Sequence, residues 1–96
     1  MKESMKRHVL AQAILSLETE EECNLLLEDI CTIKEIEDMA HRFEIAFLLS
    51  QGKTFIDVEK ITGASSATIS RVNRCLKHGE GYRHVIEKMK TNDTLK

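Results

Sequence analysis

The feature that most constrains this chain is the run TFIDVEKITGASSATISRVNRCLKH, Thr54 to His78. Phe55, Val58 and Ile61 recur at helical spacing, so the first piece predicts a short helix burying one stripe. Ile61-Thr62-Gly63 breaks that pattern, and Gly63 is free to take the left-handed backbone that ends a helix. Ser65 or Ser66 can cap the next helix, whose apolar stripe is Ile69, Val72 and Leu76. Two helices joined by a short glycine-containing turn make a helix-turn-helix.

The other face of the second helix carries the functional signal. Winding at about 100° per residue puts Ala67, Ser70, Arg71, Arg74 and His78 opposite the Ile69/Val72/Leu76 stripe. Small and hydroxyl-bearing side chains come first and cations follow. A helix entering a DNA major groove needs short side chains at its leading end, where the backbone nears base edges, and arginine or lysine further along, where phosphates lie. The same pattern also fits an ordinary helical hairpin with a solvated polar face.

Ninety-six residues make one small domain, for which a dimer interface would add useful core. Proline and tryptophan are absent and aromatics are few, which suits helices packed through Leu, Ile, Val and Met. No apolar run approaches a membrane span, and MKESMKRHVL lacks the apolar core of a signal peptide, so the protein is expected in the cytoplasm. Residues 1–49 carry five Lys/Arg against eleven Asp/Glu, and residues 50–96 carry nine against five. A basic half that holds the helix-turn-helix is the asymmetry expected if only that half meets phosphates.

Along the chain, Met5, Val9, Leu10, Ile14 and Leu17 follow one helix face from Lys2 to Leu17. Thr19-Glu20-Glu21-Glu22 matches a capping box and opens a second helix. Its Leu25-Leu26-Leu27 run is apolar nearly all round, which predicts enclosure in a bundle or against another subunit. A second box, Thr32 to Glu35, opens a third helix of about four turns. Its stripe runs through Ile33, Ile36, Met39, Ala40, Phe43, Ala46, Phe47 and Leu49, and it ends near Gln51-Gly52. Gly79-Glu80-Gly81 predicts a hinge or turn before a last helix at 81–90, with a polar tail from Thr91 to Lys96 that should fray. The organisation expected is therefore 1–51 for dimerisation, 53–78 for the helix-turn-helix and 81–90 for a C-terminal helix.

No catalytic constellation is present: no nucleophile elbow, phosphate loop or paired carboxylates in an aromatic cleft. The chain does not read as an enzyme. Cys23, Cys31 and Cys75 are odd in number and unpaired in spacing, which points to free thiols. Cys75 with His78, or Cys31 with His41, falls short of the four-ligand spacing of a zinc site, so neither metal nor cofactor is expected.

From about Ile33 onward the chain resembles the Trp repressor superfamily, and within it the Trp-repressor-related YerC/YecD group. The resemblance rests on LLSQGKTFIDVEKITGASSATISR, residues 48–71, on Cys75-Leu76-Lys77, and on the helix opened by Thr32. It implies an all-α, six-helix fold with a helix-turn-helix, assembled as an intertwined homodimer through the N-terminal helices. It also implies a sequence-specific regulator of transcription, a repressor, bound as a homodimer to a near-palindromic operator in double-stranded DNA. Under that reading Ser66, Ala67, Thr68 and Ser70 face base edges, and Ser65 heads the reading helix. Lys53, Thr54, Arg71, Arg74 and Lys77 meet phosphate or sugar. The competing reading is a protein-interaction module on the same fold, which the acidic N-terminal half favours.

The resemblance further marks a candidate effector pocket at Cys31, His41, Arg71, Val72 and Cys75. In tryptophan-responsive relatives an arginine stacks on the indole, and Arg71 stands at that position. A glycine that leaves room for the ring is replaced by Val72, a serine by Cys75, a carboxylate-binding arginine by His41 and a threonine by Cys31. Losing the carboxylate partner and filling the slot with isopropyl should each cost the complex well over ~1 kcal/mol. Tryptophan is therefore not the expected effector.

Overall fold

The computed structural model describes residues 1–92 of the chain, and all regular structure there is helical. The helices are α1 (Glu3–Leu15), α2 (Glu20–Ile30), α3 (Ile33–Ser50), α4 (Phe55–Thr62), α5 (Ser66–His78) and α6 (Gly81–Thr91). Side-chain caps set four of the six helix starts. Thr19, Thr32, Thr54 and Ser65 each accept, through the hydroxyl, the N–H of the residue three further on, at 3.1–3.2 Å. Each bond satisfies a donor that a helix start leaves orphaned, and stabilises the helix by about 1 kcal/mol.

The box at Thr32 is reciprocal, with Glu35 Oε1 accepting the Thr32 N–H at 2.8 Å. At Thr19 the expected reciprocal bond is replaced: Glu22 Oε1 reaches one residue further back and accepts the Glu18 N–H at 2.7 Å. α3 runs 18 residues, a turn longer than expected. α6 extends one residue past the expected end, to Thr91, with Asn92 as its C-cap. The rest of the expected frayed tail, 93–96, lies outside the described residues.

The chain divides into two compact units, Met1–Ile36 and the remainder from Glu37 on. In the first, neither α1 nor α2 has a buried residue. Met5, Val9, Leu10, Ile14, Leu25 and Ile30 are all exposed, and Leu26 and Leu27 are half-buried. The enclosure predicted for Leu25-Leu26-Leu27 is thus not supplied by the chain itself.

The second unit holds the core: Ile45 and Ala46 of α3, Val58 of α4, Ala64 of the turn, Ile69, Val72 and Leu76 of α5, and Ile86 of α6. Phe43, Phe47, Leu48, Leu49 and Tyr82 pack against it, with the Phe43 and Tyr82 rings 6.0 Å apart and tilted. Each fully buried aliphatic side chain there contributes about 1.5–3 kcal/mol. The α5 stripe is buried as expected, but the α4 stripe is not. Only Val58 is enclosed, while Phe55 is 38% and Ile61 54% exposed. A helix of 8 residues presents a narrow face to its neighbours, so a three-residue stripe is not all covered. Likewise Ile33 and Met39, at the start of the α3 stripe, are exposed, and the fully buried Ile45 lies outside the predicted stripe.

Candidate nucleic-acid interface

α4 and α5 are joined by Gly63, Ala64 and Ser65. Gly63 has φ +73°, the left-handed conformation that a side chain disfavours, and its N–H donates to the Glu59 carbonyl at 2.8 Å. Thr62 ties the turn on both sides: its hydroxyl donates to the Val58 carbonyl at 2.7 Å and accepts the Ala64 N–H at 3.1 Å. Ser65 then caps α5, and its hydroxyl also donates to Thr68 Oγ1 at 3.0 Å. The turn is fixed by local hydrogen bonds at every residue, so α5 starts from a defined point.

With Ile69, Val72 and Leu76 buried, α5 cannot rotate, and its opposite face is presented outward. Ser65, Ser66, Ala67, Ser70, Arg71, Arg74, Lys77 and His78 are all exposed. Thr68 is half-buried on the flank, its hydroxyl engaged by Ser65. Lys53 and Thr54 are exposed ahead of α4. Thr54 closes a reciprocal capping box with Asp57, whose Oδ2 accepts the Thr54 N–H at 3.3 Å. Hydrogen bonds from Thr54, side chain first and backbone second, hold the Asp57 carboxyl below its ordinary value, with smaller help from Lys53 and Lys60. A phosphate at Thr54 would therefore compete with a carboxylate already seated there. Asp57 carries a capping-box spacing from Thr54, the signal by which sequence reasoning could have found it.

Of the five residues that the resemblance marks as a candidate effector pocket, two line one cleft. A cleft of about 240 Å³ is lined by Asp38, His41, Arg42, Thr68 and Arg71. His41 and Arg71 both line it. Val72 is 3% exposed and belongs to the core, while Cys75 is an exposed residue outside the lining. Cys31 belongs to the N-terminal unit. Arg42, one residue and about 100° further round α3 than His41, supplies a guanidinium to this cleft. The loss of a carboxylate partner at His41 thus does not leave the cleft short of an arginine. Among the described residues, no group of three or more His, Cys, Asp or Glu is placed to hold a metal.

The sequence profile of the Trp repressor protein family matches residues 6–90. This chain belongs to the Trp repressor family. Its YerC-type character also shows in direct comparison. The chain is 45% identical to YerC of Bacillus subtilis (strain 168), itself uncharacterized, over 88% of this chain and 83% of that protein. The structure of a TrpR-like protein from Eubacterium eligens ATCC 27750 superposes with a TM-score of 0.86 at 45% identity, covering 92% of each chain. That of a proposed Trp repressor from Staphylococcus aureus gives 0.84 at 39% identity, over 90% of this chain and 87% of that one. The Trp repressor fold is a regulator's fold and not that of an enzyme family.

Proposed function

We propose that this Trp repressor family member is a homodimeric regulator of transcription, a repressor, that binds a near-palindromic operator in double-stranded DNA without tryptophan. The observation that carries the proposal is the outward face of α5. Small side chains at Ser66, Ala67 and Ser70 stand clear of the protein, followed by Arg71 and Arg74, all on a helix pinned by its buried face. Ser66, Ala67 and Ser70 read base edges, with Thr68 at the flank. Arg71, Arg74, Lys77 and Lys53 contact phosphates, and Ser65 sets the start of the helix. Thr54 joins the phosphate contacts only where it releases Asp57.

The dimer is supported by the N-terminal unit. A row of exposed apolar side chains on two helices with no buried residue is marginal in water and gains its stability by being covered. A second copy places two α5 helices at two half-sites, which compensates for the modest positive charge of each. The cytoplasm follows from this role, and no helix among the described residues is long and apolar enough to cross a membrane.

The test is selection of bound fragments from genomic DNA by the purified chain, followed by titration of the recovered duplex at increasing salt. Enrichment of an inverted repeat is expected, with light scattering giving twice the 11.0 kDa chain mass. Absence of retention on any duplex at low salt would instead favour the protein-interaction reading, to which the acids Asp57 and Glu59 on α4 lend some support.

A further inference from the structure

A larger cleft, of about 440 Å³, opens where the last turn of α5 meets α6 and the end of α3. Its floor is Leu76 and Ile86, 9% and 2% exposed. Its rim carries Lys77 from α5 and Arg83 and Lys90 from α6, with Glu87 the one acid. Arg83 and Lys90 stand two turns apart on one flank of α6, facing Lys77 across the floor. Arg83 spends one guanidinium nitrogen on the Gly79 carbonyl, at 2.9 Å, which fixes the side chain over the end of α5. Among the described residues none of these three cations is in an ion pair, although Glu87 lies one turn from both Arg83 and Lys90. The lining therefore presents a surplus of two positive charges around an apolar floor.

We propose that this cleft binds a small organic anion with an apolar body, such as an aryl or branched-alkyl phosphate or carboxylate. The volume falls in the range of small-molecule sites, which are mostly apolar with a few convergent polar groups. The surplus charge selects an anion, preferably doubly charged, because charge-assisted hydrogen bonds from lysine and arginine are the strong ones. A bare phosphate or a phosphodiester would leave uncovered the apolar part of the lining, which is the accessible edge of Leu76 together with the aliphatic stems of Lys77, Arg83 and Lys90. The site is separate from the Asp38–Arg42–Arg71 cleft, sharing no lining residue with it. Leu76 and Lys77 belong to α5, so an occupant bears on the helix assigned to DNA. That consequence rests on the proposed function, whereas binding itself does not.

The test uses the full chain, labelled with ¹⁵N and titrated separately with phenyl phosphate and with inorganic phosphate. Amide shifts concentrated at Leu76, Lys77 and Arg83 to Lys90 are expected. Covering roughly 50 Å² of ring should make phenyl phosphate about tenfold tighter than inorganic phosphate. Lys90→Glu should weaken it about fivefold or more and Lys90→Gln less, at unchanged helix content. Shifts centred on Arg42 and Arg71, equal affinity for the two anions, or indifference to both Lys90 variants would each overturn the assignment. So would a short duplex that reproduces the same shifts and displaces both anions equally, since the cleft would then be a phosphodiester contact.

Discussion

Replacing Arg74 by alanine isolates the electrostatic part of the proposed DNA contact. Arg74 is exposed at the centre of the outward face of α5, and among the described residues it makes no hydrogen bond or ion pair. Its removal should leave folding within about 0.5 kcal/mol of the parent, so a loss of DNA affinity reports on the contact alone. Each phosphate neutralised contributes about −0.9 to the slope of log affinity against log salt, and a dimer loses two such contacts, flattening the slope by about 1.8. Between about 50 and 200 mM salt, a fourfold change, the deficit of the variant should therefore shrink by roughly twelvefold. Fluorescence anisotropy on the selected operator and on a scrambled duplex, over that salt range, measures both quantities. The loss should be the same for the two duplexes at each salt concentration. An unchanged slope, or a loss confined to the operator, would refute phosphate contact by Arg74.

Three further outcomes follow from the geometry. Ser65→Ala removes the acceptor of the Thr68 N–H and the donor to Thr68 Oγ1, and should lower stability by about 1 kcal/mol in urea titration; Ser65→Asp, which can still cap, should restore most of it. Because the folded-state pKa of Asp57 is lowered from 3.8, its carboxylate contributes stability above that value and loses it as pH falls through the lowered one. Thermal melts from neutral pH downward should thus show a steeper acid loss in the parent than in Asp57→Ala, and parallel curves would sink that assignment. Calorimetry with tryptophan should show no micromolar binding, because the Val72 isopropyl group is packed into the core at the position where the resemblance to tryptophan-responsive relatives implies a glycine.

Local hydrogen bonding reaches only three or four residues, and what it controls was legible in the sequence. The caps at Thr19 and Thr32, the left-handed Gly63, and Ser65 as one of two candidates for the α5 cap, mark helix starts and stops without reference to the rest of the chain; the Thr54–Asp57 box obeys the same rule and emerged only with the structure. The α5 stripe was equally legible, since Ile69, Val72 and Leu76 are flanked by polar residues that leave a single apolar face. What lies across from a face is another matter. Phe55 and Ile61 follow the same spacing rule as Val58, yet only Val58 meets the core, and Ile45 is fully buried outside the expected stripe. Arg42, one residue and about 100° further round α3, lines the cleft with His41 and Arg71, although the resemblance singled out only His41 on that helix. The exposed apolar rows of α1 and α2 fit the same division. Sequence made those helices and their faces, while burial is a property of what the rest of the fold, or a second copy, brings against them.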